Sequence, residues 1–235
     1  MNREDIIRDV RNFARHLQVY SPTVYVNFEP RDYQDGLLKR YQQNNHTIVK
    51  HTRQCGATLT SGVYMLWHAL TKSNQNIVIT SYNLRVGLSL LLDVLDLYSS
   101  FSLKDNFISR ISYSNKNEIE FSNGSKITVI SADEYNFAGM RVDLLYIENC
   151  EFMPEPILRK MIPIINTSGK SIMASSPRPG NTIFNTMFSE AEDGVSRFKP
   201  FNIKGFKVPG RNKYWMERMK ADLGVAEFKL VYNWH

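Results

Sequence analysis

Four short stretches of this chain carry residues whose types and spacing suit the handling of a phosphorylated ligand. The first is HTIVKHTRQCGATLT, residues 46–60. A β-type run (Thr47, Ile48, Val49) leads into a Gly-containing turn, and a helical pattern follows over about residues 58–70. Strand, turn and helix make a phosphate loop, because backbone N–H groups at a helix N-terminus hold an anion. Thr52, Arg53, Gln54, Cys55, Gly56, Ala57 and Thr58 are its residues here. The usual ending Gly-Lys-Ser/Thr reads Gly56-Ala57-Thr58, so the lysine that neutralises phosphate charge is an alanine. The second stretch is Glu148-Asn149, after the apolar run VDLLYI, and the third is Ser175-Ser176, after SIMA. The fourth is Arg31, Asp32, Tyr33 and Gln34, on a helix ahead of the loop strand, from which a purine base is within reach.

Each stretch also has a plain reading. Glycine turns before helices are common, an acid at a strand end is often a cap, and Ser-Ser-Pro is ordinarily a turn. A Tyr-Gln pair on an amphipathic helix ordinarily packs. The order and spacing of all four together give the chemical reading its weight. In open α/β sheets, ligands sit at the carboxyl ends of the strands, where these stretches converge.

The elements that must position them follow from hydrophobic periodicity. Ile6, Ile7, Val10, Phe13 and Leu17 predict one amphipathic helix over residues 3–18, ended by Ser21-Pro22. Residues 27–30 read as extended, since the residue before a proline avoids the helical region. A helix with Leu37, Leu38 and Tyr41 inward precedes the loop, and one with Val63, Leu66, Trp67 and Leu70 follows it. Strands are expected at 76–79, 108–113, 142–147, 171–174 and 198–203. A hairpin is expected over 118–130 around Asn123-Gly124. Helices are expected at 84–98, 182–190, 212–222 and 225–232, and a helix or turn at 154–165. Short apolar strands alternating with helices predict an α/β fold, a mostly parallel sheet flanked by helices on both faces.

Composition sets the outer bounds. The 235 residues are 43% hydrophobic and 22% charged, a globular balance that suits one large domain with at most a small appendage. No apolar run approaches the roughly 20 residues of a membrane span, and the first residues, MNREDIIRDVRNF, lack a signal-peptide core. Membrane contact is therefore not expected. Cys55 and Cys150 make neither a disulfide framework nor a zinc site, which fits a reducing cytosol. The five histidines show no metal-binding spacing, and His51 reads as a packing residue at a strand end. The net charge of +6 is concentrated at the end of the chain. Residues 197–235 hold nine Lys or Arg against three Asp or Glu, and the remainder is neutral. That segment suits a polyanion, or else is a solvated basic face.

The ordered set RDYQ (31–34), TRQCGAT (52–58), LLYIENCEFMP and ASSP-x-x-GN resembles the large terminase subunit of tailed bacteriophages, the motor that pumps viral DNA into a procapsid. Val208-Pro209-Gly210-Arg211, Trp215 and Leu223-Gly224 look like the end of its ATPase domain. The resemblance implies a P-loop NTPase of the additional-strand, RecA-like type over residues 26–235, with residues 1–25 as an N-terminal helix. It implies ATP and Mg²⁺ as cofactors. It gives Arg31, Tyr33 and Gln34 to the adenine, Arg53 to an arginine finger acting in cis, and Gly56 and Thr58 to the phosphates and the metal. Glu148 falls at the metal-holding acid, Asn149 at the catalytic carboxylate, and Ser175 and Ser176 at the motif coupling hydrolysis to motion. Implied partners are double-stranded DNA, a portal or procapsid, a small terminase subunit and further copies in a ring, in the host cytoplasm. Arg178 or Arg211 would reach a neighbour's site in such a ring.

The departures from the family pattern fall on the catalytic centre. Ala57 stands for its Lys, Glu148-Asn149 for its Asp-Glu, and Ala138-Gly139 for its Arg-Gly. The expectation is a packaging ATPase domain with weak or absent hydrolysis. One alternative is an active motor in which Lys50 or Arg53 replaces the loop lysine, with Glu151 as a substitute base. Another is a DNA-binding or assembly protein that keeps only the fold. Some of the wider family carry the lysine at the start of the loop, near His51. Asp143 lies at the wrong end of its strand to help. The family's nuclease domain, with its acidic metal ligands, has no counterpart before residue 235, so an ATPase unit alone is expected.

Overall fold

The computed structural model describes residues 3–21, 23–104, 109–132, 139–167, 169–180 and 182–233. Its centre is an eight-stranded sheet. In chain order the strands are β3 (His46–His51), β4 (Asn76–Ser81), β5 (Ile111–Ser114), β6 (Glu118–Phe121), β7 (Lys126–Ser131), β8 (Leu144–Glu148), β9 (Lys170–Ser175) and β10 (Lys199–Ile203). Across the sheet they run β10-β3-β9-β8-β4-β7-β6-β5. The six from β10 to β7 are parallel, and β6 and β5 extend the edge antiparallel. The mostly parallel α/β fold expected from the sequence is what forms. One strand, β9, separates the loop strand β3 from the acidic strand β8.

Side chains of successive strand residues alternate between faces, so the parallel strands feed two cores. Val49, Ile77, Ile79, Leu144, Tyr146 and Ile172 pack against α3 (Asp32–Gln43), α4 (Ala57–Thr71) and α5 (Leu84–Ser100). Ile48, Val78, Leu145, Ile147 and Met173 face α6 (Glu155–Thr167) and α7 (Ile183–Glu192). Helix α4 is buried on nearly every side. Gly62 permits that depth, since a Cβ there would stand 3.2 Å from Leu90 Cδ1 on α5.

The N-terminal region departs from the expected single helix over 3–18. Two short helices form instead, α1 (Arg3–Arg8) and α2 (Val10–Ala14). Asp9 breaks them: its backbone is extended, with φ −135°, and its carboxylate accepts from the Arg11 N–H at 2.9 Å, an N-cap that starts a new helix. A hairpin follows, β1 (Gln18–Ser21) with β2 (Val24–Asn27), in a register pairing Val19 with Val26. Its alternating Val and Tyr residues carry a strand signal. Ile6, Val10, Phe13 and Leu17 join the core around α4, and the Trp67 indole donates to the Ile6 carbonyl at 3.0 Å. Of the expected strand at 108–113, Ile108 lies outside the described residues and β5 begins at Ile111.

His68, within α4, gives the fold a pH-sensitive point. Its Nε2 bonds Gln75 Oε1 at 3.0 Å, while Nδ1 is buried without a hydrogen-bond partner among the described residues. Burial, aided by Lys72, lowers its pKa from 6.5 to about 4. The unfolded chain therefore binds the extra proton first. His68's contribution is complete above pH 6.5 and is lost as pH falls towards 4, on the order of 3 kcal/mol in all. A Tm series over that window should fall more steeply in the parent than in His68→Gln, by roughly 5–10 °C.

Candidate functional site

The site lies at the carboxyl ends of β3, β9 and β8, where the loop, the acid and the serine pair meet. The loop begins as β3 ends. Gln54 takes φ 54° and Gly56 φ 76°, left-handed conformations that turn the chain into the N-terminus of α4. Thr60 N–H and Oγ1 both bond the Gly56 carbonyl, at 3.0 and 2.8 Å, closing the first helical turn. Gly56 has a second reason to be glycine, since a Cβ would meet Gln34 Nε2 at 2.8 Å.

The loop is braced from both sides. On one side α3 holds it. The Arg31 N–H donates to Gln34 Oε1 at 3.0 Å, and Gln34 Nε2 donates to Thr60 Oγ1 at 3.1 Å. Tyr33 donates its hydroxyl proton to the Cys55 carbonyl at 2.9 Å and accepts from Arg31 Nη1 at 2.9 Å. Arg31, Tyr33, Phe201, Asn202, Lys207 and Pro209 line an adjoining cavity of about 690 Å³. On the other side, Arg211 donates through Nη1 to Thr52 Oγ1 at 2.6 Å and through Nη2 to the Arg53 carbonyl. Its guanidinium stacks over Tyr232 and Trp215, of α9 (Val225–Val231) with its following turn and of α8 (Lys213–Leu223). The sequence suggested that Arg211 or Arg178 reaches a neighbouring subunit. In the structure both are engaged within the chain, Arg178 donating to the Glu151 carbonyl at 3.1 Å.

Beneath the loop lies Glu148, the last residue of β8 and 2% exposed. Its carboxylate accepts a hydrogen bond from the Tyr146 hydroxyl. Burial nevertheless dominates and raises its pKa above the usual carboxylate value. His51 Nε2 stands 3.9 Å from Glu148 Oε1, an ion-pair distance rather than a hydrogen bond. Burial opposes charge on His51, but its contacts with Cys55 and the charge of Glu148 outweigh it and raise the pKa to about 9. His51 thus faces the buried acid of the site, a contact that its reading as a packing residue at a strand end left out. The signal available was its place as the last residue before the loop.

Ala57 is the first residue of α4 and is 3% exposed, with no cation in its place. Lys50 does not supply one. Strand alternation sends it to the opposite face of the sheet from His51, where its ammonium lies 4.1 Å above the Phe188 ring on α7. Rescue by Lys50 is thus excluded by geometry. Arg53 is exposed on the loop, and its side chain makes no hydrogen bond or ion pair among the described residues.

Asn149 sits at φ 56° and ψ 44°, a left-handed conformation that asparagine tolerates. It starts a short 3-10 turn, Cys150–Phe152, which folds the chain back over the end of β8. The turn delivers Glu151 to the serine pair. The Ser175 hydroxyl donates to Glu151 Oε2, the Ser176 hydroxyl donates to Oε1 at 3.0 Å, and the Glu151 N–H donates to Ser175 Oγ at 2.8 Å. Of the family's Arg-Gly position, Ala138 lies outside the described residues and Gly139 is present at φ 75°. Asp143 is at the far end of β8, bonded to the Asn76 N–H at 2.9 Å.

The arrangement suits a nucleotide with a divalent cation. The helix start offers N–H groups to phosphate. Thr58, in the first turn of α4, and Glu148, at the end of β8, offer a hydroxyl and a carboxylate, the sparse oxygen set with which Mg²⁺ binds beside phosphates. Among the described residues no cluster of three metal-ligating side chains competes with that reading.

Comparison with known proteins agrees with the architecture. The ATPase domain of the Thermus phage P74-26 large terminase, in a mutant form, superimposes with a TM-score of 0.70 at 14% identity, covering 88% of this chain and 94% of that one. The HK97 bacteriophage large terminase gives 0.71 at 12% identity, covering 99% of this chain. The large terminase of a thermophilic bacteriophage, in complex with ADP, gives 0.70 at 12% identity and 87% coverage of this chain. This chain spans about half the length of the latter two, 55% and 53%. Residues 49–204 match the family described as terminase large subunit, T4likevirus-type, N-terminal. That match takes in the loop, the acid and the serine pair over more than half of the sequence, and the chain therefore belongs to the large terminase subunit family, in its N-terminal domain.

Proposed function

We propose that this chain is the nucleotide-binding part of a viral DNA-packaging motor, and that it holds ATP with Mg²⁺ but hydrolyses it slowly. The observation that carries the reading is a loop that turns through Gly56 at φ 76° into the N-terminus of α4, braced by Tyr33, Gln34 and Arg211, with Ala57 at its lysine position. Binding needs loop N–H groups, a hydroxyl and a carboxylate, for which the start of α4, Thr58 and Glu148 are the candidates. Fast transfer needs a full positive charge against the terminal phosphates, and that is missing. When bound, Mg²⁺ supplies part of this charge at the phosphate oxygens. The rest falls to Arg53, the exposed cation of the loop, and to the partial charge of the α4 N-terminus. A relative of the same fold has been solved with ADP, which supports the choice of nucleotide.

Double-stranded DNA is the proposed polyanion partner of the basic C-terminal segment. Lys213 and Arg218 of α8 are exposed there beside Tyr214, which is 79% exposed. Family membership supports a ring of copies acting with a portal and a small terminase subunit in the host cytoplasm. A steady-state assay with ATP and Mg²⁺ tests the reading. Losing one electrostatic contact costs roughly 10²–10³ in rate, so against an ordinary turnover of about 10 s⁻¹ the expected value is about 0.01–0.1 s⁻¹. Turnover near 10 s⁻¹ would show that Ala57 is no handicap.

A further inference from the structure

We infer that Glu151 is the carboxylate that takes the proton from the attacking water in this chain, a base supplied two residues beyond Asn149. The inference rests on the nucleotide reading of the site and deepens it. Asn149 holds the family's catalytic carboxylate position, and an amide cannot accept that proton. The backbone shows how a replacement is delivered. The left-handed Asn149 and the 3-10 turn after it reverse the chain, and the side chain three residues beyond Glu148 returns to the end of the sheet.

Three observations place Glu151 among reacting groups rather than on a solvated turn. First, it is 5% exposed, and its carboxylate is gripped by Ser175 and Ser176 at the tip of β9, the strand between the loop strand and the acidic strand. Second, the charges of His51 and Glu148 both act on it, so it belongs to the same electrostatic pocket as the loop and the acid. Third, it lines a cavity of about 180 Å³ together with Arg53 and Arg178, which connects the turn to the exposed cation of the loop. Its burial also raises the carboxyl above its ordinary pKa, towards the range in which a base works at neutral pH. A capping role alone accounts for the bond from the Glu151 N–H to Ser175. It does not account for a buried carboxylate with a cavity beside it.

The step balances simply. The water oxygen bonds to the terminal phosphorus while one of its protons passes to a Glu151 oxygen. The bond from that phosphorus to the bridging oxygen breaks, and its electron pair leaves with the nucleoside diphosphate. The second proton stays on the inorganic phosphate, and Glu151 returns its own to solvent. Ser175 and Ser176, bonded to the same carboxylate, hold it in place.

The test uses the full chain, Glu151→Gln and Glu151→Asp, with ATP turnover and equilibrium ATP binding measured on each. Gln keeps acceptor and shape but not basicity, whereas Asp keeps the carboxylate. Glu151→Gln is expected to lose roughly 10²–10⁴ in kcat, to bind ATP within about threefold of the parent, and to fall at least about tenfold below Glu151→Asp. Unchanged turnover in Glu151→Gln overturns the inference, as does a parent that binds ATP and never hydrolyses it. Lost ATP binding in Glu151→Gln, or equal loss of turnover in both variants, also overturns it and makes Glu151 a structural support. A parent that binds no ATP overturns the nucleotide reading itself, and this inference with it.

Discussion

Ala57→Lys is expected to raise ATP turnover by roughly 10²–10³, the reverse of what removing one charge contact costs in other active sites. Residue 57 opens a 15-residue helix, so a lysine there starts from the helix N-terminus, whose backbone N–H groups are available to an anion. The helix end already carries a partial charge of about half a unit, which holds an anion in the ground state. What it lacks is a mobile full charge to meet the negative charge that grows on the terminal phosphate oxygens. Arg53 lies four residues earlier and is exposed, so it meets that charge from outside the loop. An unchanged Tm in the variant would report that the loop still closes. A rate equal to that of the parent, with the loop intact, would show that charge at this position is not limiting.

Glu148→Ala is expected to remove the strengthening of ATP binding by Mg²⁺ and to lower any turnover by roughly 10²–10³. Glu148 is the buried carboxylate at the end of β8, and Mg²⁺ binds through one or two carboxylates plus the phosphates. The substitution also strands groups that Glu148 now satisfies. The buried Tyr146 hydroxyl loses its acceptor, at a cost of about 1–3 kcal/mol. His51 loses one of the influences that hold its pKa near 9. A group raised in the folded state stabilises fully below its unfolded value, about 6.5, and loses that contribution as pH rises through the folded value. The decline in Tm between pH 6.5 and 9 should therefore be smaller in Glu148→Ala and end at lower pH. Equal Mg²⁺ dependence of ATP binding in parent and variant would remove Glu148 from the metal.

How much of this was legible in the sequence depended on whether the information was local. The run VDLLYIE reads as a buried strand because both of its faces are covered, and its side chains confirm it, with all of β8 buried. The loop defect at Ala57 and the substitution at Asn149 are matters of residue type and need no coordinates. Sheet order is different. That β9 lies between β3 and β8 depends on crossovers, which hydrophobic periodicity does not record. Lys50 illustrates the same gap. Seven residues before Ala57 it looks available, and only the alternation of faces along β3 sends it to Phe188. Arg211 braces Thr52 from 159 residues away, a contact with no local trace. Glu151 reaches Ser175 because one asparagine adopts a left-handed backbone, a choice the residue type permits but does not dictate. The N-terminal hairpin was hidden for a simpler reason. The helical spacing from Ile6 to Leu17 continued smoothly past Asp9, and its capping role appears only through its bond to Arg11.

The central claim is that the loop between β3 and α4 holds a nucleotide despite its missing lysine, and an equilibrium titration of the whole chain with ATP in Mg²⁺ tests it most directly. Saturable binding is expected, with a dissociation constant in the roughly 1 µM–1 mM range of working enzyme sites. Gly56→Val should abolish it, because residue 56 needs φ 76° and a Cβ there meets Gln34 Nε2 at 2.8 Å. No binding by the parent chain, or equal binding by parent and Gly56→Val, would contradict the account.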